Sequence, residues 1–272
     1  MAQNTNKEMT FLDHLEELRW HIIRSLIAIV LITIVAFMNR HIVFDIIVLG
    51  PSELDFWTYR NLCRLSDLLR LGGALCIDEM NFRLINIHMA GQFIQHIFIS
   101  VAAGIIVAMP YIFWEGWRFL KPALTKREKK SARGIVFFSS LLFFIGVAFG
   151  YFLLSPMAVQ FLGNYQISEL IENEITLSSY VSTVAMVTFA AAIVFELPVA
   201  VYFLSKAGLV TPDAMKYYRK HTFVIFLVIA AIITPPDMAS QVILMVPFML
   251  LYEVSILISA YVLKKQLKEE NF

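Results

Sequence analysis

Charge is scarce in these 272 residues: Lys, Arg, Asp and Glu together make up 16%, and the formal net charge is only +1. A nucleic-acid surface needs a basic excess, so that class of partner is excluded. Cysteine is scarcer still. Cys63 and Cys76 are the only two, and their spacing is neither that of a CxxC redox pair nor that of a zinc site. The HExxH, GxSxG and GxxxxGK[ST] signatures are missing, as is any His/Cys cluster at metal-ligand spacing, so no enzyme, metal or cofactor is expected. Gly-rich or Ser-rich linkers, low-complexity tracts and visible repeats are absent too. Disorder and solenoid architectures drop out, and a single domain over 1–272 is the economical reading.

What the chain has in excess is apolar surface. Hydrophobic residues reach 59%, against roughly 45–50% in soluble domains, with 23 Phe and 12 Met and a mean hydropathy of +0.71. The expected fold is therefore an all-α integral membrane protein embedded in a lipid bilayer. Six transmembrane helices are drawn at about 20–38, 92–114, 134–162, 178–205, 222–235 and 242–263. No A-x-A-like cleavage site closes the first segment, which reads as a retained span after a polar, amphipathic lead over 1–19. The fifth is the weakest. Its core, Phe223 to Ile233, is eleven consecutive apolar residues, roughly 17 Å of helix against a hydrocarbon layer of about 30 Å.

The distribution of cations supports keeping that short segment. With six spans, the N-terminal tail, the 115–133 and 206–221 loops and the C-terminal tail share one side, and 17 of the 22 Lys and Arg fall there or at the start of span one. The remaining five lie in the long loop 39–91, and the short loops 163–177 and 236–241 hold acidic residues with no Lys or Arg. The positive-inside rule then places both termini in the cytoplasm.

Several residues stand out chemically. Before span one, Phe11, Leu15, Leu18 and Ile22 recur at helical spacing while Asp13, Glu16 and Glu17 occupy another face; these carboxylates are either ordinary solvation or a binding feature. The second cytoplasmic loop contains Trp117-Arg118-Phe119, Pro122-Ala123-Leu124 and, among several cations, Glu128. Glu196, in Phe195-Glu196-Leu197-Pro198, and Glu253 lie inside spans, where ionisable groups are expensive and usually functional. Pro235 and Pro236 make a rigid turn. Asp237 and Ser240 can cap the next helix, which leaves Gln241 as an amide able to bond another membrane helix. The glycines Gly146 and Gly150 have helix-packing spacing, and His88 and His96 read as interfacial. Cys63 and Cys76 share an outer, oxidising loop and could pair, with a gain of about 3 kcal/mol.

Taken in order, His14-Leu15-Glu16-Glu17-Leu18-Arg19, Trp117-Arg118-Phe119 with Pro122-Ala123-Leu124 and Glu128, Phe195-Glu196-Leu197-Pro198, and Thr234-Pro235-Pro236-Asp237 with Ser240-Gln241, the chain closely resembles the TatC family. These are receptor subunits of the twin-arginine protein translocase. The resemblance covers residues 10 to about 263. It implies a glove-shaped bundle of six helices in the bacterial cytoplasmic (inner) membrane that binds twin-arginine signal peptides of folded cargo. It also implies assembly with single-span TatA and TatB-like subunits, a homo-oligomer in the receptor complex, and export powered by the proton-motive force. By the same resemblance Glu17 and Glu128 are the signal-binding carboxylates, with Phe119 and Leu124 beside them. Glu196 matches an intramembrane glutamate and Gln241 a position where partner helices dock. Two adjacent guanidiniums call for fixed carboxylates, because planar bidentate pairing favours Arg over Lys. The outer loop 39–91 is longer than in compact relatives. The alternative is a proton-coupled secondary transporter of a small substrate working through Glu196 and Glu253, which calls for paired broken helices; only one Glu-x-Pro break is present.

Overall fold

The computed structural model describes residues 11–68, 76, 80, 82–123, 134–168, 171, 173–233 and 238–270, most of them helical. Helix α1 (Phe11–Met38) contains neither Gly nor Pro, so the amphipathic lead continues into the first apolar segment as one helix. After a π-helical turn (His41–Val48) come α2 (Trp57–Leu68), strand β1 (Phe82–Ile85) and α3 (Gly91–Leu120), which carries Pro110 inside it. The third apolar segment is α4 (Ile135–Phe149), a π-helical stretch Gly150–Leu154 and α5 (Ser155–Asn164). Strand β2 (Asn173–Thr176) leads into α6 (Leu177–Phe195) and α7 (Leu197–Lys206), and the chain ends with α8 (Pro212–Ile233) and α9 (Met238–Glu270).

Among the described residues five helical stretches are long and apolar enough to cross a bilayer: Leu15–Met38, Gly91–Leu120, Ile135–Asn164, Leu177–Lys206 and Leu244–Leu267. Helix α8 falls short because its first half carries Lys216, Arg219 and Lys220. The sequence leads one to expect helices alone, whereas the structure adds one short parallel pair, β1 with β2, in register from Phe82 opposite Asn173 to Ile85 opposite Thr176. Four-residue strands so far apart in the chain leave no local periodicity to read.

The described residues form two compact units, drawn from Met1–Asn39 with Ser100–Ser140 and from Arg40–Ile99 with Leu141–Phe272. In the first, α1 and α3 approach closely at Gly104, where a Cβ would lie 2.2 Å from Thr33 Oγ1 and 3.1 Å from the Ile29 carbonyl. The outward face of α1 is apolar, with Leu26, Val30, Leu31, Ile34 and Val35 exposed. That suits lipid contact.

In the second unit a core of Val187, Ala191, Phe226, Leu244 and Phe248 joins α6, α8 and α9. Polar groups between these helices bond to one another, as a low-dielectric setting demands. Ser205 Oγ donates to Ser259 Oγ at 2.8 Å between α7 and α9, and the Tyr252 hydroxyl donates to the Met215 carbonyl at 2.8 Å between α9 and α8.

The outer segments are tied down by side chains that repair a broken helix. Pro156 has no N–H, which frees the carbonyl of Phe152 one turn back, and the Thr58 hydroxyl of α2 donates to that carbonyl. The Tyr59 hydroxyl lies 2.8 Å from the Pro51 carbonyl and 3.0 Å from that of Pro156, and Tyr180 donates to the Val48 carbonyl at 2.8 Å. Burial pushes the Tyr59 phenol well above its ordinary pKa, so it serves as a neutral donor. Cys63 of α2 forms a disulfide with Cys76, with a Cα–Cα distance of 4.3 Å. We expect Tyr59→Phe to lower stability by about 1–2 kcal/mol, since it removes the buried donor that the Pro51 and Pro156 carbonyls share. Thermal unfolding of the purified protein measures this, and an unchanged midpoint would show that these bonds contribute nothing.

Candidate functional site

The first unit contains a cluster of polar side chains built by α1 and α3. Along α1, Glu17, Trp20, His21 and Arg24 follow the i, i+3, i+4, i+7 spacing of one helix face. The last turns of α3 supply Glu115 and Arg118, and the turn after it supplies Lys121 and Pro122. These residues, Glu115 apart, line a recess of about 560 Å³.

Glu115 is buried against three of these residues, with only 1% of its surface exposed. Its carboxylate is hydrogen-bonded to His21 Nδ1, which joins α1 to α3 across 94 residues of sequence. Arg118 Nη1 donates to Glu115 Oε1 at 3.3 Å, and Arg24 Nη1 stands 3.9 Å from Oε2. A buried charge with this many donors is compensated. The rings close around it: Phe119 meets the His21 imidazole edge to face at 6.1 Å, and the Arg118 guanidinium lies 4.9 Å from the centre of the Trp114 ring.

Glu17 differs from Glu115. Its side chain is half-buried, and its Oε2 is out of solvent with no hydrogen-bond partner among the described residues. A desolvated carboxylate oxygen left open at a recess is energetically unfavourable, which is the usual mark of a group kept for a ligand.

Of the residues singled out from sequence, Glu17 and Phe119 both join this cluster, each within the unit that holds His21 and Glu115. Leu124, Glu128, Pro235, Pro236 and Asp237 lie outside the described residues. Glu196 sits at the junction of α6 and α7. Its amide bonds the Ile193 carbonyl at 3.1 Å, and its own carbonyl accepts from Val199 and Ala200 at 3.0 Å, so it marks the break in that apolar segment. Gln241 Nε2 donates to the Leu227 carbonyl at 3.2 Å, binding the start of α9 to α8. Glu253 is held by Arg219 through two contacts of 2.8 Å, Nε to Oε1 and Nη2 to Oε2.

Sequence reasoning missed Trp20, His21, Arg24 and Glu115 as site residues. The α1 members could have been found from Glu17 by helical spacing. Glu115 gave a fainter signal: a lone acid in the aromatic end of an apolar segment.

The family model described as Sec-independent protein translocase protein (TatC) matches residues 13–247. The chain belongs to the TatC family. A TatC protein of Blattabacterium sp. subsp. Periplaneta americana is 39% identical over 265 residues, covering 97% of this chain and 100% of that relative. The TatC of Aquifex aeolicus is 34% identical over 259 residues, covering 95% of this chain and 98% of its own. A crystal structure of the twin-arginine translocase receptor TatC superposes with a TM-score of 0.68 at 32% identity, covering 92% of this chain and 99% of that one. Membership of the TatC family makes this a multi-span membrane protein of protein transport. It removes support from the small-substrate transporter reading, and the bidentate Arg219 partner of Glu253 engages one of the two carboxylates which that reading needs.

Proposed function

We propose that this TatC family member is the signal-peptide receptor and core subunit of a twin-arginine translocase in the bacterial inner membrane. In this reading the chain crosses six times with both termini cytoplasmic. It assembles with TatA and TatB-like single-span subunits and as a homo-oligomer, and it exports folded cargo at the expense of the proton-motive force as a transport component, not an enzyme. The observation that carries the proposal is the open Glu17 carboxylate in a recess beside Phe119's neighbour His21. A guanidinium entering there gains a charge-assisted acceptor whose Oε2 has no partner to displace among the described residues. Glu128 and Leu124 complete the binding surface, Glu196 serves a step after binding, and the α9 start around Gln241 receives a partner helix.

The test is photocrosslinking from a probe at Phe119 to a signal peptide bearing Arg-Arg, with the same peptide bearing Lys-Lys as comparison. Crosslinks that form with Arg-Arg and vanish with Lys-Lys support the receptor reading and its carboxylate chemistry together. Equal crosslinking, or none, would place the site elsewhere.

A further inference from the structure

The recess that holds Glu17 is also lined by three cations of the chain itself, Arg24, Arg118 and Lys121, yet Glu17 Oε2 has no partner among the described residues. That arrangement needs a cause, because a guanidinium close to a desolvated carboxylate normally pairs with it. Arg24 lies seven residues after Glu17 on α1, about 10 Å along the axis, a gap that the long Arg and Glu side chains together can bridge. Lys121 is exposed and keeps its ammonium in water. The two arginines are held instead by Glu115: Arg118 at 3.3 Å from one oxygen, Arg24 at 3.9 Å from the other. The Trp114 ring under Arg118 and the His21 bond that fixes Glu115 reinforce that direction.

We infer that Glu115 is a positioning residue that sequesters the chain's own two guanidiniums, Arg24 and Arg118, and so keeps Glu17 open for the arginine pair of an incoming peptide. The inference rests on the reading of Glu17 as a guanidinium acceptor. It makes Glu115 contribute to binding without any contact to the ligand. Loss of its charge turns Arg24 and Arg118 toward Glu17, where they compete with the peptide from inside the molecule, at an effective concentration no free ligand matches.

The test measures the affinity of the full-length chain, in lipid nanodiscs, for a labelled Arg-Arg signal peptide. Glu115→Gln keeps the side-chain shape and is expected to weaken binding by about tenfold. Adding Arg24→Gln and Arg118→Gln to Glu115→Gln removes the competitors and should restore affinity to within roughly threefold of wild type. Were Glu115 merely structural, the triple variant would bind as poorly as the single one, since both lack its contacts. Normal binding by Glu115→Gln, or no recovery in the triple variant, overturns the inference. If Glu115→Gln does not accumulate as folded protein, Glu115→Asp replaces it. The shorter acid withdraws its carboxylate from Arg24, and the same two Arg→Gln changes should relieve the partial loss; unaltered affinity in Glu115→Asp is again fatal. A parallel Glu17→Gln arm separates the two levels, because normal binding there defeats the receptor site itself, whereas lost binding there with a normal Glu115→Gln defeats only the role of Glu115.

Discussion

Glu17→Gln should weaken binding of an Arg-Arg signal peptide by on the order of 30-fold or more while leaving the protein at least as stable as before. The first half of this expectation follows from removing one side of a desolvated charge pair, which typically costs about 2–5 kcal/mol, at 1.4 kcal/mol per decade of affinity. The second half follows from the unbound state. One oxygen of Glu17 is already out of solvent with no partner among the described residues, so replacing the carboxylate by a neutral amide removes a desolvation penalty instead of a stabilising contact. A residue whose loss damages binding and spares or improves stability is one retained for function. Isothermal titration with the peptide and a thermal melt of the same preparation read both quantities. Affinity within twofold of wild type would remove Glu17 from the site. Normal affinity loss accompanied by a large drop in melting temperature would make Glu17 a structural residue whose binding effect is indirect.

The parts of this fold that depend on neighbouring residues were legible in the sequence. Apolar length and helical period are local properties, so the membrane class and the helical nature of the apolar segments could be read from runs such as Leu26 to Ile32. Glu17 and Phe119 were legible through the order of motifs around them. What was not legible depends on partners distant in the chain. Nothing near Glu115 announces that its base is His21, and nothing near Glu253 announces Arg219. The β1 and β2 pairing and the capture of the Phe152 carbonyl by Thr58 are likewise contacts across long separations. For Glu253 the difference bears on the alternative transporter reading, since the carboxylate that reading uses as a proton carrier is one arm of an ion pair between α8 and α9.

The largest stability effects should come from Gly146 and Gly150, which lie four residues apart on the face of the third apolar segment that meets α6. A Cβ on Gly146 would sit 2.7 Å from the Ala192 Cα and 2.8 Å from the Phe195 Cβ, and one on Gly150 would sit 2.8 Å from the Thr188 Cα and 2.9 Å from the Ala191 Cβ. These are backbone and near-backbone atoms of α6, so relief requires the helices to move apart. Close approach is also what allows the Ser155 hydroxyl to reach Thr188 Oγ1 at 3.2 Å, a bond between helices that any widening would stretch. Gly146→Ala and Gly150→Ala should each destabilise the protein by about 1–3 kcal/mol. The sign is the discriminating feature. In an uncrowded helix the same change would stabilise by roughly 0.5–1 kcal/mol, because Ala is the better helix former. The double variant should fall short of the sum, since one outward shift of the segment relieves both clashes. Thermal unfolding in detergent decides the matter: a raised midpoint for either single variant would mean that the two helices are not in contact at these glycines, and strict additivity in the pair would mean that each clash is relieved separately.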